Sequence, residues 1–159
     1  MSGLDTFFLG QVGASAALVG LIFVGASINL DKIMEDPHLP GRVLEALVVL
    51  VAVLIVSSLG LVSGQPVAVP VGAIVLAGLA GWGLIVVGLV HHGRSPHQSR
   101  FQFAARVVLG QLATLPYVVG GASLLVGLPG GPYWLVLAIL ASYVLAVSSA
   151  WVLLIEINR

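Results

Sequence analysis

Residues 107–155, VVLGQLATLPYVVGGASLLVGLPGGPYWLVLAILASYVLAVSSAWVLLI, contain no Asp, Glu, Lys or Arg. A helix rises about 1.5 Å per residue and the hydrocarbon core of a bilayer is ~30 Å thick, so ~20 apolar residues make one crossing. A run of 49 residues is too long for one crossing and long enough for two. Near its middle stands Leu128-Pro129-Gly130-Gly131-Pro132. Proline lacks the N–H that a helix interior needs and restricts the residue before it, while glycine accepts turn geometry. The stretch therefore reads as a hairpin of two membrane-spanning helices.

The rest of the chain follows the same logic. Residues 46–93 form a second uncharged run, of 48, broken at Gly64-Gln65-Pro66 and again at Pro70. Residues 6–30 form a third, of 25, enough for one span. The spacing predicts five helices at about 5–30, 42–63, 71–90, 102–127 and 133–158, one helix plus two hairpins. Asp5 then falls in a first helical turn, where the helix dipole favours a carboxylate. The expected fold class is all-α: a polytopic membrane helix bundle, one transmembrane domain over residues 1–159. A membrane barrel is excluded, because the runs are apolar all round rather than alternating.

Composition agrees. The chain is 59% hydrophobic and 8% charged, where a soluble domain carries ~25% charged residues, and its mean hydropathy is +1.15. A formal net charge of zero argues against a nucleic-acid partner. With no cysteine, disulfides and thiolate metal sites are excluded.

Topology is read from the six cations. Lys32 and Arg42 lie in or beside the first loop, Arg94, Arg100 and Arg106 in or beside the third, and Arg159 is the last residue. With five spans these places share one side, so the positive-inside rule predicts an outside N-terminus and a cytoplasmic C-terminus. The expected location is the plasma membrane. The first apolar run lacks a basic flank and is too long for a signal peptide, so it is expected to stay in the mature protein.

Polar groups within spans are the candidate functional residues, since each needs a partner or water. Gln11, Ser15 and Asn29 fall within an arc of about 40° on the first span. Arg106, Gln111, Thr114 and Tyr117 span about 140° on the fourth, and Ser142, Ser149 and Glu156 about 40° on the fifth. Counting rise puts Ser15, Gln111 and Ser142 about 13–16 Å deep, near the midplane. Such stripes serve either a hydrated path or pocket, or hydrogen bonds that fix the bundle; the second use is favoured, because Ser and Thr also bond their own helix backbone. Pro116 frees the Leu112 carbonyl and is a candidate hinge, with a static kink the commoner outcome. Glu45, Arg106 and Glu156 sit at similar depth near the cytoplasmic boundary, and an ion pair is expected there, as registry or as a gate. His91, His92 and His97, with His38 on the same side, match no closed zinc spacing and are read as loop histidines without metal.

Twenty glycines suggest close helix packing. Small residues recur at Gly13, Ala16, Ala17 and Gly20, at Ala73, Ala77 and Gly81, and at Ala138, Ser142, Ala146 and Ala150. Packing within the protomer is the preferred use, ahead of an oligomer interface. Trp82 falls mid-span, while Tyr133 and Trp134 suit an interfacial belt. The chain shows no phosphate loop and no HExxH motif, so no catalytic residue, metal or cofactor is expected and an enzyme is not. The expected role is an oligomeric channel or transporter for a small ion or solute, using the polar stripes. The alternative is a non-catalytic accessory or structural subunit that binds another membrane protein through small-residue faces. Expected partners are the lipid bilayer and either further copies or another membrane protein.

Overall fold

The computed structural model describes residues 3–35, 39–92 and 100–154, with the side chains of 3, 91–92, 100–102 and 152–154 excepted. Six helices follow in order: α1 Gly3–Ile28, α2 Leu30–Glu35, α3 Leu39–Gly60, α4 Ala68–His92, α5 Arg100–Leu125 and α6 Gly131–Leu154. There is no strand among the described residues. All but α2 are long and apolar enough to cross a membrane. Both expected hairpins form, at residues 61–67 and 126–130.

The helices differ from expectation at their edges. α3, α4, α5 and α6 each begin two or three residues early, and in three of them proline is the reason. Pro40, Pro70 and Pro132 stand in the first turns of α3, α4 and α6, where a missing N–H costs nothing and a fixed φ helps. Proline here starts helices as well as separating them. At the other end of α5, Gly127 takes φ +69°. Leu128 N–H bonds the Ser123 carbonyl at 2.9 Å and Gly127 N–H the Leu124 carbonyl at 3.3 Å, a Schellman closure that glycine permits without strain. The Gln65 side-chain amide donates to the Leu59 carbonyl and caps α3.

α2 was not expected, because residues 30–35 are too few to show a period. Helical hydrogen bonding carries round the bend at Asn29: its N–H bonds the Gly25 carbonyl at 3.3 Å, and Ile33 N–H bonds the Asn29 carbonyl at 3.0 Å. Ile33 is buried with Leu39 against Ala26 and Val43, so tertiary packing holds this turn.

α3, α4, α5 and α6 form a ring in which each packs on the next and α6 returns to α3; α1 lies outside it, against α3 and to a lesser extent α6. Two apolar layers fill the ring. One holds Val53, Val56, Ile74, Tyr117, Leu135, Ala138 and Ile139, the other Val49, Ile85, Ala113, Ala141 and Leu145. Ala138, Ser142 and Ala146 are fully buried and Ala150 half-buried, the use within the protomer that the spacing favours, whereas Gly13, Ala16, Ala17 and Gly20 of α1 are exposed and do not follow that expectation.

The α4–α5 seam is the tightest in glycine terms. A Cβ on Gly78 would meet Tyr117 Cβ and Val118 Cγ2 at 2.9 Å and the Thr114 carbonyl oxygen at 3.1 Å. One on Gly121 would meet Val75 Cγ2 at 2.7 Å, and one on Gly110 would meet Ile85 Cδ1 at 3.0 Å. Gly88 has nothing within 4 Å. Gly78→Ala is therefore expected to lower stability by about 1–3 kcal/mol through overpacking. Gly88→Ala should be neutral or slightly stabilising, since alanine is the better helix former by about 1 kcal/mol. Unfolding of the two variants in detergent distinguishes them, and equal losses would contradict the packed seam.

Candidate functional site

Glu45 and Arg106 both stand six residues from the start of their helices, at the end of the bundle that also carries Lys32 and Arg42. Equal rise brings them level, and Arg106 Nη2 donates to Glu45 Oε2 across the gap between α3 and α5. Glu45 is 4% exposed. The Arg106 side chain is 24% exposed, so it lies nearer the surface than the carboxylate it holds. Glu45 Oε1 has no hydrogen-bond partner among the described residues. The pair thus closes one end of the ring, one helical turn beyond Val49 of the apolar filling. Of the three charges expected to meet here, Glu45 and Arg106 do; Glu156 lies outside the described residues.

The polar residues of the other stripes separate into distinct places. Thr114, Tyr117 and Ser142 are buried within the ring. Thr114 Oγ1 donates to the Gly110 carbonyl at 2.8 Å and Ser142 Oγ to the Ala138 carbonyl at 2.7 Å, each four residues back in its own helix. Ser142 also lies 3.4 Å from the Ala113 carbonyl of α5. Pro116 is buried beside Tyr117, and α5 continues through it. Ser15 belongs elsewhere: it is buried where α1 meets the ring and donates to the Gln11 carbonyl at 2.6 Å. The Tyr143 hydroxyl of α6 donates to that same carbonyl at 3.2 Å. Gln111 is half-buried and accepts from the Trp82 indole N–H at 3.1 Å, on the outer rim of the α4–α5 seam. Ser149 is buried on α6.

Asn29 falls outside the first long helix, which ends at Ile28 rather than at the expected 30. It lies past the end of α1, between α1 and α2, and its side-chain amide donates to the Gly25 carbonyl at 3.0 Å. It closes a helix end by bonding back to the last turn of α1. His38 and His97 lie outside the described residues, and of His91 and His92 only the backbone, at the end of α4, is described.

Two residues escaped the sequence reading. Ser57 is fully buried in α3 and its hydroxyl has no partner among the described residues, as is true of the Tyr117 hydroxyl and Gln11 Oε1. Tyr143 ties α6 to α1. The usable signal for Tyr143 is chemical: a phenol inside an apolar span must find an acceptor. A separate, apolar groove of about 190 Å³ runs between α1 and α6, lined by Leu18, Leu21, Ile22, Ala146 and Trp151 among others.

Removing one partner of the ion pair leaves an uncompensated buried charge, so Arg106→Ala is expected to cost about 3–5 kcal/mol. Lys32→Ala, at an exposed position, should cost far less. The double variant Glu45→Leu with Arg106→Met should recover most of the loss, because apolar groups of similar volume need no pairing. Thermal unfolding of the set in detergent gives the coupling; additive losses would contradict a buried pair.

No family model, curated protein or solved structure matches the chain.

Proposed function

We propose that the chain is a plasma-membrane protein, its basic end in the cytoplasm, acting as a non-catalytic accessory subunit that docks another membrane protein through α1. The observation that carries this reading is the state of Gly10, Gly13 and Gly20 on one face of α1. A Cβ on Gly10, Gly13 or Gly20 would have nothing within 4 Å, unlike one on the packed glycines of the α4–α5 seam. With Thr6, Ala17 and Val24, all exposed, they share one face within about 80°. Small residues let helix backbones approach closely in lipid, where packing drives association. The buried hydroxyls support the same reading: Ser15, Thr114 and Ser142 are spent on their own backbones, which leaves them poor at exchanging with a passing solute.

Orientation is tested by labelling. An introduced cysteine at position 130 should react with an impermeant reagent in intact cells, and one at position 97 should not. The reverse pattern would overturn the topology.

Docking is tested in native membranes. A photocrosslinker at Ala17 should trap a second protein species, and Gly13→Leu with Gly20→Leu should abolish the adduct without unfolding the bundle. Reconstituted alone, the chain should pass no small ion. A second reading, a channel or transporter, is favoured by one observation: the buried Glu45 carboxylate keeps an oxygen without a partner beside Arg106. Flux that Glu45→Gln abolishes, with crosslinks indifferent to the α1 leucines, would replace the accessory reading with that one.

A further inference from the structure

Gln111 is a polar side chain on the rim of the bundle whose surroundings are left incomplete. It stands 11 residues from Arg100 and 14 from Leu125, the ends of α5, so either end is at least about 16 Å away along the helix. Trp82 holds the matching mid-length position in α4. The indole N–H donates to Gln111 Oε1, and that bond orients the carboxamide: oxygen toward Trp82, nitrogen away. No acceptor meets the nitrogen among the described residues. Around it the surface is apolar and open, with Trp82 41% exposed and Leu79, Val108, Leu112 and Leu115 also exposed. Two N–H donors at mid-membrane cannot be satisfied by hydrocarbon, and leaving them so costs several kcal/mol. Headgroups are too far away to help.

We propose that the outer rim of the α4–α5 seam is a homodimer interface, in which Gln111 of one protomer pairs with Gln111 of a second copy. The argument for a second copy is self-complementarity. A carboxamide carries donor and acceptor together, and Oε1 keeps a lone pair after accepting from Trp82. Two such groups related by a two-fold axis exchange N–H···O bonds reciprocally, as an isologous interface requires. An axis along the membrane normal brings both to the same depth without further adjustment, whereas an unrelated helix needs a polar group at that one level. Polar side chains at this depth are known glue between spanning helices. The inference rests on the helices crossing a bilayer and is independent of docking through α1, which lies across the ring from this seam.

The chain has no cysteine of its own, so single cysteines report proximity directly. In liposomes, Leu115→Cys, one turn from Gln111, should form a disulfide-linked dimer on mild oxidation. Val144→Cys, exposed on α6, should not. Energy transfer between labelled copies, followed as lipid is added, gives the dissociation constant. Gln111→Leu should raise it about tenfold or more, Gln111→Asn should preserve much of the association, and Gly13→Leu should leave it unchanged. Circular dichroism of each variant confirms the folded bundle. An unaltered dissociation constant in folded Gln111→Leu, or crosslinking at Val144 in place of Leu115, overturns the proposal. If Gly13→Leu, with Gln111 intact, weakens association as much as Gln111→Leu, the interface is on α1 and the proposal likewise fails.

Discussion

Hydrocarbon offers no hydrogen bonds, and most of the hydroxyls carried on the long apolar helices answer to that constraint within the chain, Ser57 and Tyr117 excepted. Most answers are local. Ser15, Ser27, Thr114, Ser123, Ser142 and Ser148 all donate to the carbonyl four residues back, which satisfies the hydroxyl wherever the helix turns it. Local bonds of this kind specify no tertiary contact. Among the described residues, bonds that do include Arg106 to Glu45, Tyr143 to the Gln11 carbonyl, Trp82 to Gln111, and a long one from Ser142 to the Ala113 carbonyl. Each joins a different pair of helices, so together they fix relative register at α3–α5, α1–α6, α4–α5 and α5–α6.

Packing divides the glycines into two populations that hydropathy cannot tell apart. In the α4–α5 seam Gly78, Gly110 and Gly121 admit a neighbouring side chain or carbonyl, and a methyl group would collide. Gly10, Gly13 and Gly20 of α1, like Gly72, Gly83 and Gly88 of α4, meet nothing from this chain within 4 Å. Both kinds cost the helix intrinsic propensity, about 1 kcal/mol against alanine. In the seam that cost is offset by close contact. At Gly10, Gly13 and Gly20 no close contact within the protomer offsets it, and on the proposed reading the compensation comes from a partner helix.

The legible parts of the fold were those marked by punctuation or by counting. Pro/Gly clusters exposed both hairpins, and uncharged length set the number of long helices. Glu45 and Arg106 were found because each stands about one turn into its expected helix, starting at 42 and at 102, and equal rise makes them level. What stayed hidden depended on angle. These helices are apolar on every side, so no hydrophobic stripe marks which face is inward. Gln111 and Thr114 share a broad arc on α5, yet one sits at the rim and the other in the core. Ser57 and Tyr143 gave no periodic signal at all. Asn29 was misplaced because a helix end moved by two residues, and α2 because six residues carry no period.

Geometry also constrains how the proposed contacts combine. The ring order places the α4–α5 seam on one edge, and α1 covers the opposite edge against α3 and α6. A pair of copies joined through the seam therefore turns both α1 helices outward, away from the two-fold axis. Neither interface blocks the other. The same arrangement explains why the strongest polar interaction belongs in the ring and not on its surface: Arg106 and Glu45 join α3 to α5, diagonal members of the ring. A diagonal tie resists shear of either edge relative to the other. With both edges offered to other helices, that is where a bundle filled by apolar layers most needs a directional bond.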